Sequence, residues 1–196
     1  MMRSIITLLT IFCLWSPIAS QAQDDDEHSA RWRVKTLSDI DSSYVRFDSV
    51  VRSSITEQNA LPRAEVNGDT RRLASETTVY EITAYLTGIK RELDGDYHLV
   101  MMDLDSSAYM IFEVPNPDRP EVRATSRWQL FDKVKRTIDS LTFGEQRLLI
   151  ERFLEVPIKL RFTGVGFYDT WHLIPQAGMP PNRRELHPVL TVEVAQ

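Results

Sequence analysis

One stretch constrains this chain more than any other: Thr78 to Pro115, TVYEITAYLTGIKRELDGDYHLVMMDLDSSAYMIFEVP. It divides into three runs of strand character separated by Asp94-Gly95 and Ser106-Ser107, residue types that favour tight turns. The first run, Thr78 to Lys90, puts Tyr80, Ile82, Ala84 and Leu86 on one face and Glu81, Thr83 and Thr87 on the other. Gly88 interrupts it, which marks a bend or bulge and lets one long strand serve two sheets. The second run, Asp96 to Asp103, sends Tyr97, Leu99 and Met101 one way and Asp96, His98, Val100 and Met102 the other. The third, Ala108 to Val114, is apolar on both faces except at Tyr109 and Glu113, and Pro115-Asn116-Pro117 stops it.

After this meander the period changes. Between Ser126 and Ser140 the residues Phe131, Val134 and Ile138, followed by Leu141, recur at helical spacing. A further helical segment is read over Glu145 to Leu154. Pro157 opens a fourth strand, in which Ile158, Leu160 and Phe162 alternate with Lys159, Arg161 and Thr163. A loop from Asp169 to Arg184 then leads to a last strand, Leu186 to Val194, with Pro188 near its start. Three strands, a helix and two strands predict a mainly β fold with one or two helices. The expected form is an OB-like five-stranded Greek-key barrel (β-β-β-α-β-β) plus an N-terminal arm. Closure would also remove the edges that five apolar strands otherwise expose. The competing fold is an open sheet packed on two helices.

The residues upstream divide the chain. Arg3, the apolar run Ile5 to Trp15, Pro17 and the small residues Ser20 and Ala22 read as a signal peptide over 1–22, cleaved after Ala22. The run is too short for a comfortable span, so no membrane span is expected once it is removed. Cys13, the only cysteine, lies inside that run and follows Phe12, which argues against lipidation and leaves the mature chain without a thiol. Residues 23–76 read as an extended arm and polar linker. Within them Arg31 to Leu37 is a short strand or extended arm, Tyr44 to Ile55 is extended, and Thr56 to Ser75 wraps on the surface. Residues 77–196 form the barrel domain. The formal charge of −5 makes nucleic acid an unfavourable partner. Arg71-Arg72 and Arg183-Arg184 read as solvated surface pairs.

Thr77-Thr78-Val79-Tyr80, Asp96-Tyr97-His98-Leu99-Val100, Thr163-Gly164-Val165-Gly166-Phe167 and Pro181-Asn182 with Glu185-Leu186-His187-Pro188-Val189-Leu190 form a set of motifs spread along the mature chain. Trp32-Arg33-Val34-Lys35 and Arg71-Arg72 extend the set. Together they resemble an uncharacterised family of secreted bacterial proteins. The resemblance implies a single exported domain, in the periplasm or outside the cell, with no assigned reaction. Met101-Met102 and Arg183-Arg184 depart from the smaller or neutral residues of that pattern.

Three constellations carry candidate chemistry. Asp96 and His98 share one face, as do Glu185 and His187, while Asp169 and His172 lie in the loop between. Brought together, Asp96, His98, Glu185 and His187 would offer nitrogen and oxygen ligands to a divalent metal, or an acid–base pair. The other reading of His98 and His187 is structural, with ring nitrogens bonded to loop backbone. Phe167, Tyr168 and Trp171 are the candidate ligand platform, completing a low-specificity binding set of Asp96, His98, Phe167, Tyr168, Trp171, His172, Glu185 and His187. Val66-Asn67-Gly68-Asp69-Thr70 resembles the Asp-Gly-Asp-Thr segment of thermonuclease-type phosphodiesterases. Asn67 replaces the first aspartate, however, and an Asn-Gly turn explains the segment more simply. Gly164-Val165-Gly166 runs into Phe167 rather than a helix, so it reads as a bulge rather than a phosphate cradle. No cofactor is implied. The expectation is a non-enzymatic module for an unknown ligand or envelope partner; the alternative is a metal-dependent, phosphodiesterase-like hydrolase.

Overall fold

The structure, a computed structural model, describes residues 29–142, 152–171 and 176–196. Six strands and four short helices make it up: α1 (Ala30–Thr36), β1 (Arg46–Ser53), α2 (Ile55–Asn59), β2 (Thr78–Arg91), β3 (Tyr97–Met102), β4 (Tyr109–Val114), α3 (Pro120–Arg123), α4 (Trp128–Leu141), β5 (Arg152–Tyr168) and β6 (Arg184–Val194). No helix among the described residues is long and apolar enough to cross a membrane.

The strands form one mixed sheet in the order β1-β2-β3-β4-β6-β5, and β5 returns to pair with β2, closing a ring. β2/β3, β3/β4, β5/β6 and β2/β5 are antiparallel, whereas β4/β6 and β1/β2 are parallel. The segment after Pro157 thus lies beside the one beginning at Val79: Leu86 faces Ile158 and Val79 faces Val165. The ladder shifts between Leu86 and Gly88 on both flanks of β2, where the sequence places a bend. The sheet has six strands rather than the expected five: Arg46–Ser53, expected in the arm, is β1, a parallel strand along the first half of β2, so this long strand has three neighbours.

The alternating residues meet inside the ring. Ile82, Leu86, Leu99, Met101, Met110, Leu160 and Phe162 are fully buried, and Phe112 meets Phe162 edge-on at 5.2 Å between ring centroids. α4 lies between β4 and β5 in sequence and contacts β6 and β4. It turns Phe131, Val134 and Ile138 inward, as the helical spacing predicts.

Three expectations require correction. Arg31 to Leu37 is helical, not extended. Ser29 caps α1 by accepting from the Trp32 amide at 3.0 Å, and Leu37 ends it in the left-handed region at φ 57°. The residues read as alternating also have helical spacing: Trp32 and Thr36 are four apart, Arg31 and Val34 three apart, and all four are buried. β5 begins at Arg152, so the end of the expected segment Glu145 to Leu154 is strand; its earlier part lies outside the described residues. The arginine pairs are not simply solvated. Arg72 turns inward to Asp39, Val34 O and Glu76 O, and Arg184 is fully buried beside the Tyr168 and Tyr80 rings.

One buried ion pair fastens the N-terminal segment to the ring. Arg31 donates two hydrogen bonds to Glu76, at 3.0 and 2.6 Å, and another to Tyr168 O. Glu76 also accepts from the Tyr168 and Leu73 amides, both at 2.8 Å. Two charges without water cost several kcal/mol each unless such bonds satisfy them, and here four donors converge on one carboxylate.

Candidate functional site

Residue alternation puts the polar cluster on the outer face of the ring wall. In β3, β4 and β6 the core takes Tyr97, Leu99 and Met101, then Met110, Phe112 and Val114, then Leu186. The intervening side chains, among them His98, Glu113, Glu185 and His187, must point the other way. They are nevertheless buried. Ala177 of the β5–β6 loop lies against His98, and α1 packs against β6, with Arg31 4.2 Å and Lys35 5.9 Å from the Phe167 ring.

Strand register assembles the cluster. His98 stands opposite Lys90 on β2 and Glu113 on β4. His187 lies two residues beyond the Ile111–Glu185 pairing, alongside Glu113. Asp96 sits at the end of the Asp94-Gly95 turn, where its amide donates to Asp94 Oδ1 at 3.0 Å. Its Oδ1 accepts from the Asn116 amide at 2.7 Å. Gly95 adopts φ 90°, and a Cβ there would fall 2.3 Å from Asn116 Nδ2, so the turn admits only glycine.

His98 Nδ1 lies 3.3 Å from Glu113 Oε1 and 3.5 Å from Glu92 Oε1, while Nε2 donates to Ala177 O at 3.1 Å. Both ring nitrogens therefore face acceptors. Burial opposes a charge on this ring, but the bonds to Glu113 and Ala177 and the nearby Glu92 raise its pKa overall. The structural reading of His98 is thus met in part, since one nitrogen holds a loop carbonyl. Burial would likewise raise the Glu113 carboxyl. His187, His98 and Lys35 outweigh it and hold this carboxyl well below its ordinary value. Asp96 moves the opposite way, pushed well up by burial, Asp94 and Glu113 against the partial support of the Asn116 amide.

His187 is the least satisfied member. Its Nδ1 lies 2.9 Å from Glu113 Oε2, in poor alignment for a hydrogen bond. Nε2 has no hydrogen-bond partner among the described residues, although the side chain is completely buried. Ligand atoms of Asp96, Glu113 and His187 all lie within 4.8 Å of one another.

Of the residues singled out from sequence, Asp96, His98, Glu185 and His187 are brought together, with Glu185 Oε2 3.8 Å from His187 Nδ1. Phe167 joins them from below, its ring 5.4 Å from that of His187, and is itself buried. Tyr168 is buried apart from them; its hydroxyl donates to Pro62 O at 2.8 Å. Trp171 is exposed, with the Arg183 guanidinium 5.5 Å from its ring. His172 lies outside the described residues. Asn67 to Thr70 forms a turn in which Asn67 Oδ1 accepts from the Asp69 amide and the Thr70 hydroxyl, both at 3.0 Å. The β5/β6 register shifts around Gly164 and Gly166, and a Cβ at either would strike Leu186 or Arg184, so this segment is a close-packed bulge. Glu113 joins the two pairs, and sequence reasoning missed it. Its signal was one acidic residue in an otherwise apolar strand.

A separate cleft of about 600 Å³ opens beside α1, lined by Ala30, Arg33, Val34, Ile40, Asp41 and Arg71, with the Asp39–Arg72 pair also contributing. Ile40 is 83% exposed there. Arg71 pairs with Asp41 at 2.9 and 2.7 Å, whereas Arg33 is exposed with no ion-pair partner among the described residues.

No family model, curated protein or solved structure matches the chain.

Proposed function

We propose that this chain is an exported, non-enzymatic binding module. It uses an OB-like Greek-key barrel as a scaffold and takes a small amphipathic ligand in the cleft beside α1. The strand order around the ring, the parallel β4/β6 pairing and the helix between β4 and β5 support the barrel reading. The observation that carries the binding reading is the cleft itself. Its volume falls within the range of small-molecule sites. It combines apolar Val34 and Ile40 with the guanidinium of Arg33, which suits an apolar body carrying an anionic group. The imidazoles and carboxylates of the buried cluster, by contrast, face one another. The cleft beside α1 therefore replaces Phe167, Tyr168 and the Asp96–His98 rim as the ligand site of this reading.

Anilinonaphthalene sulfonate, an apolar anion, is a direct probe of the cleft. Ile40→Asp and Arg33→Glu each weaken its binding about tenfold, the equivalent of roughly 1.4 kcal/mol. Dye affinity unchanged in both variants excludes the cleft.

A second reading, a metal-dependent hydrolase, is favoured by the convergence of Asp96, Glu113 and His187. Its test is release of nitrophenolate from bis(nitrophenyl) phosphate by zinc-loaded protein. A rate no higher than that of His187→Ala removes it.

A further inference from the structure

We propose that Asp96, Glu113 and His187 bind a divalent transition-metal cation on the outer wall of the ring, tying the β2–β3 turn to β4 and β6. This centre is separate from the cleft, so the binding reading does not depend on it; the hydrolase reading would need the same three residues, and metal uptake without phosphodiester cleavage separates the two.

Convergence comes first. The three donors belong to segments far apart in sequence, yet their ligand atoms lie within 4.8 Å of one another. One ion with metal–ligand distances of about 2.0–2.2 Å draws such atoms together with small side-chain movements. The second observation is independent of the spacing. His187 is fully buried, its Nε2 makes no hydrogen bond among the described residues, and its Nδ1 has only Glu113 Oε2 beside it, at 2.9 Å. Buried polar groups of a native fold are satisfied in the great majority of cases, and an orphaned one calls for a partner. Glu113 satisfies at most one of the two ring nitrogens, whereas a cation accepts a ring nitrogen directly.

The surroundings match such a site. Each carboxylate is steadied through one oxygen, Asp96 Oδ1 by the Asn116 amide and Glu113 Oε1 by His98, which leaves its other oxygen for the ion. Ligating carboxylates in metal sites are oriented by such outer bonds. Charge agrees as well. Asp94, Asp96, Glu113 and Glu185 gather here, and Lys35 acts on Asp94, Asp96 and Glu113 together. An imidazole in the set selects zinc, cobalt or a similar ion over magnesium or calcium, which prefer oxygen throughout. Burial of all three ligands makes the ion a structural tie.

The experiment uses the full mature chain, stripped with a chelator and titrated with zinc, and separately with cobalt as a spectroscopic stand-in. The expected result is one zinc per chain by elemental analysis, a rise of several degrees in thermal midpoint, and visible cobalt absorption displaced by zinc. Magnesium in excess produces none of these. Asp96→Asn and His187→Ala lose the metal and the thermal shift, and His98→Ala weakens binding about 10–100-fold through the orientation of Glu113. Trp171→Ala, on the exposed loop, binds as the parent does. Folded parent protein that takes up neither zinc nor cobalt overturns the proposal. So does uptake that is unchanged in both Asp96→Asn and His187→Ala. Should those variants fail to fold, the stoichiometry and cobalt spectrum of the parent decide alone.

Discussion

At the scale of single residues, the fold is held by charges whose partners are specific. Glu76 is the clearest case, because four donors from Arg31, Leu73 and Tyr168 end on its two oxygens. Glu76→Ala leaves the Arg31 guanidinium buried without a counter-charge. Removing one partner of such a pair costs about 3–5 kcal/mol, and urea unfolding of the variant measures it. A loss below about 1 kcal/mol would mean that the pair does not hold α1 in place. Glu57 offers a test with pH. Its side chain accepts from the Ser54 amide and the Ser53 hydroxyl, which together hold its carboxyl below the ordinary value against a small opposing effect of desolvation. A depressed carboxyl contributes stability that is present above its unfolded value and is lost as pH falls through the folded one. The amide of Ser54 is therefore protected from exchange at neutral pH and loses that protection in acid. Equal protection on both sides of the carboxylate range would contradict it.

At the scale of elements, α4 was legible because its pattern is local. Phe131, Val134 and Ile138 have helical spacing in the sequence, and the structure buries the same three. Phe131→Ala is expected to destabilise the protein by about 3–5 kcal/mol, the cost of a large buried ring; Lys133→Ala, on the solvent side, is expected to change stability by less than about 0.5 kcal/mol. Comparable losses in the two variants would mean that the helix does not dock through this face. α1 was misread for a reason equally physical. A short run containing Trp32, Val34 and Thr36 satisfies a period of two, but Arg31 with Val34 and Trp32 with Thr36 also satisfy a helix. Seven residues are too few to separate the periods, and packing against β6 decided between them. Ser29 was the available signal, since a serine before an apolar run is a frequent helix cap.

At the scale of the whole molecule, residues 29–76 are interwoven with the ring. β1 extends the sheet along β2, Trp32, Leu37, Val45 and Ile55 join the main hydrophobic cluster, and Arg31 reaches Tyr168 across the fold. A fragment starting at Thr77 therefore loses cooperative unfolding, because Glu76 and Arg31 are gone and Phe167 is uncovered. A sharp, two-state melt of that fragment would show that the arm is dispensable. The order of the five strands β2 to β6, the bend at Gly88, the helix between β4 and β5, and the shared faces of Asp96 with His98 and Glu185 with His187 were determined by the chain alone, whereas the place of β1 in the sheet was not. Each depends on which side of a strand or helix a residue occupies, and that is set by neighbours one to four positions away. Tertiary structure alone decided that Glu113 stands between the two histidines, that Arg72 and Arg184 turn inward, and that Ala177 lies against His98. The partner of a buried charge sits on another strand, and register between distant strands is fixed by the packed core as a whole rather than by any local pattern.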